Sequence, residues 1–139
     1  MNKSFSITEI NSISKEILQS VNSRVLLFYG EMGVGKTTLI GEIVKELGGT
    51  NDVSSPTFSI VNEYEVNDGL VYHFDFFRIG NEEEVYDIGF EDYMDSDNWI
   101  FVEWPDKIST LIPDRVNEIH LEKECETSRI IKLKTLINI

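Results

Sequence analysis

A chain of 139 residues, 41% hydrophobic and 11% aromatic, has the size of one domain (residues 1–139) and can bury roughly two-thirds of its unfolded surface. Its 25 acidic and 12 basic residues give a net charge of −13, which disfavours direct binding of tRNA or DNA and suits either a basic protein surface or simple solubility. Cys125 is the only cysteine, so an intrachain disulfide is excluded; no stretch reaches membrane-spanning length and no signal peptide is evident, so a cytoplasmic protein is expected.

The pattern Ser6-Ile7-Thr8-Glu9 is a capping box, and Ile10, Ile13, Ile17 and Val21 follow at helical spacing, predicting a first helix that ends near residue 20. Val25 to Tyr29 is an apolar run with the length of a buried strand. Gly30-Glu31-Met32-Gly33-Val34-Gly35-Lys36-Thr37 then fits G-x-x-x-x-G-K-[ST], the phosphate-binding P-loop. A chain of this size matches that pattern by chance roughly once in a few hundred cases. The strand before it and the amphipathic helix after it (Leu39, Ile40, Ile43, Val44, Leu47) supply the context it requires. Gly48-Gly49 ends the helix.

Ser54-Ser55-Pro56-Thr57 reads as a hydroxyl-rich loop, and Phe58 to Tyr64 and Leu70 to Phe76 as strands joined by the hairpin signal Asn67-Asp68-Gly69. Asn81 caps a short acidic helix from Glu82 to Asp87. Trp99 to Glu103 is an apolar strand ending on a carboxylate, stopped by Pro105. Arg115 to Glu122 and Ser128 to Leu136 form a C-terminal pair of strands. With the P-loop, these elements predict an α/β fold: a P-loop NTPase-type three-layer sandwich with a mostly parallel central sheet and antiparallel additions.

The loop's chemistry follows from its residue types. Its glycines let backbone N–H groups close on phosphate oxygens, and the helix N-terminus adds its positive dipole. The predicted nucleotide-binding residues are Glu31, Met32, Gly33, Val34, Gly35, Lys36, Thr37 and Thr38. Lys36 would reach the β- and γ-phosphates, and the Thr37 hydroxyl would ligate Mg²⁺. Glu103, at a strand end, is placed to hold Mg²⁺ or orient a water; the alternative is an ordinary strand-end acid. Alternation puts His73 and Asp75 on one strand face, with Asp75 at the end near an attacking water or as a structural carboxylate. His73 reads more simply as a hydrogen-bonded strand histidine than as a catalyst. Thr57 stands where a switch residue would sense the γ-phosphate, or in a plain turn. Arg78 is an arginine-finger candidate or a partner of Glu82 to Glu84; Trp104 either reports on nucleotide or packs beside the site. No Asn-Lys-x-Asp segment reads guanine, and no arginine-rich lid of a small-molecule kinase is evident.

Taken together, these motifs resemble the bacterial TsaE (YjeE) ATPases across nearly the whole chain. The similar segments are Gly30 to Leu39, Val53-Ser54-Ser55-Pro56-Thr57-Phe58 with Asn62-Glu63-Tyr64, His73-Phe74-Asp75-Phe76-Phe77-Arg78, Glu84, Asp87-Ile88-Gly89-Phe90 and Phe101-Val102-Glu103-Trp104-Pro105. The resemblance implies an ATPase serving threonylcarbamoyladenosine synthesis beside the tRNA anticodon, with TsaD and TsaB as partners. It implies Lys36 and Thr37 on ATP and Mg²⁺, Glu103 as the Mg²⁺-associated acid and Asp75 as a catalytic or switch carboxylate. Phe76-Phe77 departs from the family's Leu-Tyr, so that tyrosine hydroxyl is absent; Met32 and Val34 replace Leu and Ala, with little effect expected. Two alternatives stand beside the ATPase reading: a small-molecule phosphotransferase with Asp75 as base, and a nucleotide-gated binding module without essential hydrolysis.

Overall fold

In the computed structural model, which describes residues 1–50, 53 and 60–137, the apolar runs become strands and the helical periodicities become helices. In chain order these are β1 (Asn2–Ser6), a 3-10 turn (Ile7–Glu9), α1 (Ile10–Ser20), β2 (Val25–Tyr29), α2 (Lys36–Glu46), β3 (Val61–Val66) and β4 (Gly69–Asp75). Then come α3 (Glu82–Asp87), α4 (Phe90–Met94), β5 (Trp99–Glu103), a 3-10 segment (Pro105–Leu111), β6 (Arg115–Cys125) and β7 (Ser128–Ile137).

The seven strands form one sheet in the order β1-β7-β6-β2-β5-β4-β3. The pairings β6–β2, β2–β5 and β5–β4 are parallel, and β1–β7, β6–β7 and β3–β4 are antiparallel. The expected parallel centre with antiparallel additions is thus a mixed sheet, in which antiparallel pairs flank the parallel centre on both sides and match it in number. The reason lies in the connections. Parallel neighbours need a crossover of a dozen or more residues, whereas tight turns leave β3–β4 and β6–β7 antiparallel.

The Ser6 capping box forms: Glu9 Oε1 accepts the Ser6 N–H at 2.8 Å, and Ser6 Oγ accepts from the Thr8 N–H at 3.3 Å. It opens a 3-10 turn that runs into α1. The strand before it, β1, has no counterpart in the sequence reading, because one buried Phe5 among polar residues carries almost no alternation signal. Its partner residues, Ser128 to Lys132, lie at the other end of the chain. The single-turn α4, entered through left-handed Gly89 at φ +80°, also falls below the sequence signal.

Two apolar cores flank the sheet. On one face, Ile13 and Ile17 of α1 and Leu39, Ile40, Ile43 and Val44 of α2 pack on Leu26, Phe28, Val71, Phe101 and Ile119. On the other, Val85, Phe90 and Ile108 pack on Leu27, Phe74, Ile100, Val102 and Val116. Strands β2 and β5 read as unbroken apolar runs because both of their faces are covered. Each fully buried aliphatic or aromatic side chain here contributes roughly 1.5–3 kcal/mol of transfer free energy. These strands hold the ends of β2, β4 and β5 side by side, and the candidate residues lie at those ends.

Candidate functional site

The chain leaves β2 at Tyr29 and turns through Gly30 to Gly35 into α2, whose first residues are Lys36 and Thr37. Gly30, Gly33 and Gly35 take φ values of +153°, +81° and +114°. A Cβ on Gly33 or Gly35 would meet nothing within 4 Å, so those glycines are required for their backbone conformation rather than for space. A Cβ on Gly30 would instead come within 2.8 Å of the Leu121 carbonyl oxygen and 2.9 Å of Val34 Cγ1. The side chains of Glu31, Met32 and Thr38 face solvent, Met32 being 67% exposed, while Val34 is buried in the core. Met32 thus projects outward from the loop, and Val34 anchors it in the core.

Glu103, at the end of β5, lies across from this helix start and is only 3% exposed. The Thr37 hydroxyl donates to both its carboxylate oxygens, at 3.1 Å each. His73, fully buried on β4, meets Glu103 Oε2 through Nε2 at 2.6 Å. Asp75 sits beside Glu103 in the parallel β4–β5 register, and its Oδ1 accepts the Phe77 N–H at 3.0 Å. Burial pushes the Asp75 carboxyl above its ordinary range, against the lowering effect of that backbone hydrogen bond. The structure thus brings Lys36, Thr37, Asp75 and Glu103 together from three elements.

Lys36 is buried, with its Nζ donating to the Gly30 carbonyl oxygen at 2.6 Å and lying 3.7 Å from the centre of the Trp104 ring. Desolvation pulls its pKa down, opposed by the negative charges of Glu103, Asp75 and Asp106. Trp104 adopts a left-handed backbone, φ +58° and ψ +53°, which turns its ring over the lysine. Phe77 leans on that ring with centroids 4.9 Å apart. The residue that departs from the family pattern is therefore an apolar brace. A cleft of about 730 Å³ runs from the loop past Trp104 and Asp106 to the end of β6, where His120 stacks on Tyr29 at 4.5 Å. Burial, then Glu118 and Asp106, push the Tyr29 phenol up to about 12.

Arg78 is exposed, and among the described residues no ion pair joins it to Glu82, Glu83 or Glu84. Those acids instead serve local structure: Glu84 Oε2 accepts the Gly80 N–H at 2.9 Å, and Asn81 caps α3 through the Glu84 N–H at 3.3 Å. The Thr57 prediction lies outside the described residues. Two further residues stand beside the site: Tyr64, read in the sequence only as part of the Asn62-Glu63-Tyr64 segment, and Arg129, which the sequence reading did not single out. Tyr64 donates or accepts at His73 Nδ1, 2.9 Å away, behind Glu103. Arg129 Nε donates to the Val34 carbonyl oxygen at 2.9 Å while its Nη1 reaches Cys125 O and Ser128 O, bracing the loop against the β6–β7 turn. Neither contact is local, so only strand register would have revealed them.

The oxygen set tests the fit of Mg²⁺. Among the described residues no group of three or more His, Cys, Asp or Glu side chains could hold a metal alone. Mg²⁺ commonly needs only one or two protein oxygens beside phosphate and water, and the Thr37 hydroxyl and Glu103 carboxylate, 3.1 Å apart next to the glycine loop, fit that need.

The fold is a mixed α/β sheet in which a glycine-rich loop opens a helix and a lysine, a hydroxyl and a strand-end carboxylate gather beside it. Residues 5–131 match the family described as "Threonylcarbamoyl adenosine biosynthesis protein TsaE". Relatives named tRNA threonylcarbamoyladenosine biosynthesis protein TsaE are 33% identical in Rickettsia felis (91% of this chain, 75% of the relative) and 34% identical in Bacillus subtilis (82% and 71%). The crystal structure of YdiB from Bacillus subtilis superposes with a TM-score of 0.65 at 25% identity, over 99% of this chain and 88% of that one. The chain belongs to the TsaE family.

Proposed function

We propose that this chain is a cytoplasmic ATP-binding and ATP-hydrolysing subunit required for threonylcarbamoyladenosine modification of tRNA, acting with TsaD and TsaB. It functions as one P-loop ATPase domain, residues 1–139, with the layering of a P-loop NTPase sandwich. The family's role in this synthesis supports the pathway. The observation that carries the activity is the convergence of Lys36, Thr37 and Glu103 on a glycine loop.

Thr37 and Glu103 would hold Mg²⁺, which, when bound, neutralises charge on the phosphate oxygens. Backbone N–H groups from Glu31 to Thr38 bind and orient the phosphates, aided by the α2 dipole. Lys36 exchanges its bond to Gly30 O for a phosphate oxygen, and its burial beside Trp104 strengthens that charge pairing. Asp75, half-buried at the β4 end, orients the attacking water, and its raised pKa suits it to take up a proton. The Trp104 ring, braced by Phe77, covers Lys36 on one side. The net charge of −13 fits a subunit that leaves tRNA contacts to its partners.

The test is reconstitution: tRNA, purified TsaD and TsaB, and γ-labelled ATP, with and without this chain. Sustained modification that needs the chain, with label released as free phosphate, is the expected result. Label in a small organic acceptor would replace this reading with the phosphotransferase, and modification indifferent to the chain would remove its place in the pathway.

A further inference from the structure

Behind the site lies a hydrogen-bond chain, part-buried at Asn62 and Tyr64 and buried at His73 and Glu103. Asn62 Nδ2 donates to Tyr64 Oη at 3.4 Å, Tyr64 Oη lies 2.9 Å from His73 Nδ1, and His73 Nε2 lies 2.6 Å from Glu103 Oε2. The chain starts on β3, the edge strand, crosses β4 and ends on the carboxylate that Thr37 also contacts. The direction of each bond follows from the groups. An ionised carboxylate only accepts, so His73 Nε2 carries the proton donated to Glu103. Nδ1 is then free to accept from the Tyr64 hydroxyl, which in turn accepts from Asn62. One set of proton positions therefore satisfies every link.

His73 is 0% exposed and Glu103 3% exposed, so the histidine is shielded from solvent. Its contact with the site is through Glu103 Oε2. Because Glu103 ends its strand and the next residue turns left-handed, its side chain would otherwise pivot about a strand end. A fixed donor on one oxygen leaves the rest of the carboxylate facing Thr37 and the loop. We propose that His73 is a positioning residue that orients Glu103 toward bound Mg²⁺, with Tyr64 holding the imidazole in the required tautomer and orientation. This rests on the reading of Glu103 as the Mg²⁺-side acid.

Two near-isosteric substitutions separate the two ring nitrogens. In His73→Gln the amide nitrogen stands in for Nε2 and keeps a donor toward Glu103. In His73→Asn the amide stands in for Nδ1, so it keeps contact with Tyr64 and loses Glu103. The readout is affinity for a fluorescent ADP analogue in EDTA and in Mg²⁺, alongside the kcat and KM of ATP hydrolysis. In EDTA all variants should bind within about twofold of wild type, which also reports a folded loop. In Mg²⁺, His73→Asn should lose most of the metal-dependent gain in affinity and lower kcat at least tenfold, whereas His73→Gln retains both to within a few-fold. Tyr64→Phe, which keeps the ring and its packing, should fall between them. Equal behaviour of the Gln and Asn variants, or a metal-dependent gain unchanged in Tyr64→Phe and His73→Asn, would overturn the proposal. Glu103→Ala is the reference. If it too keeps the full gain, the reading of Glu103 itself fails; if it loses the gain while the His73 variants keep it, only the positioning role fails.

Discussion

The loop side and the carboxylate side of the site are built from different kinds of sequence information. The loop side is one continuous stretch from Tyr29 to Thr38, its geometry set by glycines in left-handed conformations and by the start of α2. The carboxylate side joins Asn62, Tyr64, His73, Asp75 and Glu103 from three strands, brought side by side by the register of β3–β4 and β4–β5. Distant residues brace the loop side at a few points, among them Arg129 on Val34 O and Trp104 over Lys36. The carboxylate side is assembled mainly across strands, by Tyr64 on His73 and His73 on Glu103, with local bonds only from Asn62 to Tyr64 and from the Phe77 N–H to Asp75 among the described residues. A binding loop can thus be specified by local backbone chemistry, whereas a buried charge at a strand end depends on the packing of the sheet.

Substitutions should separate the two sides. Lys36→Ala should produce the largest loss, lowering ATP hydrolysis by about 10²- to 10³-fold, the scale for removing one preorganised electrostatic group. Steady-state phosphate release measures it, and a wild-type rate would detach the lysine from the chemistry. Glu103→Ala comes next, with a similar loss of kcat but preserved nucleotide binding in EDTA. It also orphans the buried His73 N–H, so denaturant unfolding should show destabilisation of about 1–3 kcal/mol.

Gly30→Ala should act on the loop side alone. Its Cβ would press on Leu121 O and Val34 in a strained conformation, costing about 1–3 kcal/mol and weakening nucleotide binding with or without Mg²⁺. Arg129→Ala frees the Val34 carbonyl, so KM for ATP should rise several-fold with kcat changed less than twofold; an equal loss in both would place Arg129 in the chemical step.

The smallest effect concerns pH. Burial raises the Asp75 pKa in the folded state above its ordinary value, so its contribution to stability is fully present below the unfolded pKa and is lost as pH rises through the folded pKa. Asp75→Asn keeps an oxygen for the Phe77 N–H and removes the charge. Its melting temperature should slightly exceed wild type at pH 7, and that gain should shrink as the pH falls toward the ordinary carboxylate value. A gain that grows on acidification would reverse the sign of the burial effect.

The same contrast governs what could be read in advance. The P-loop, the Ser6 cap, the Asn67-Asp68 turn and the C-terminal strand pair were legible because their signals lie within a few neighbouring residues. Asp75 and Glu103 were recognisable as strand-end acids, although their adjacency needed the parallel β4–β5 pairing. The role of His73 was not legible, since alternation gives its face but says nothing of Glu103, thirty residues away. Strand β1 was hidden for a related reason: its stability comes from β7, at the opposite end of the chain. The balance of parallel and antiparallel pairing also depends on which edge each hairpin joins, which local pattern does not encode.

The central claim is that ATP hydrolysis at this composite site sustains tRNA modification. It is tested most directly by counting threonylcarbamoyladenosine formed per TsaD–TsaB heterodimer, with ATP in excess, in the presence of wild-type chain or Glu103→Ala. The wild type should support many turnovers and the variant, still binding nucleotide, should stall near one. Many turnovers with the hydrolysis-dead variant would contradict the account and leave the chain a nucleotide-gated binding module.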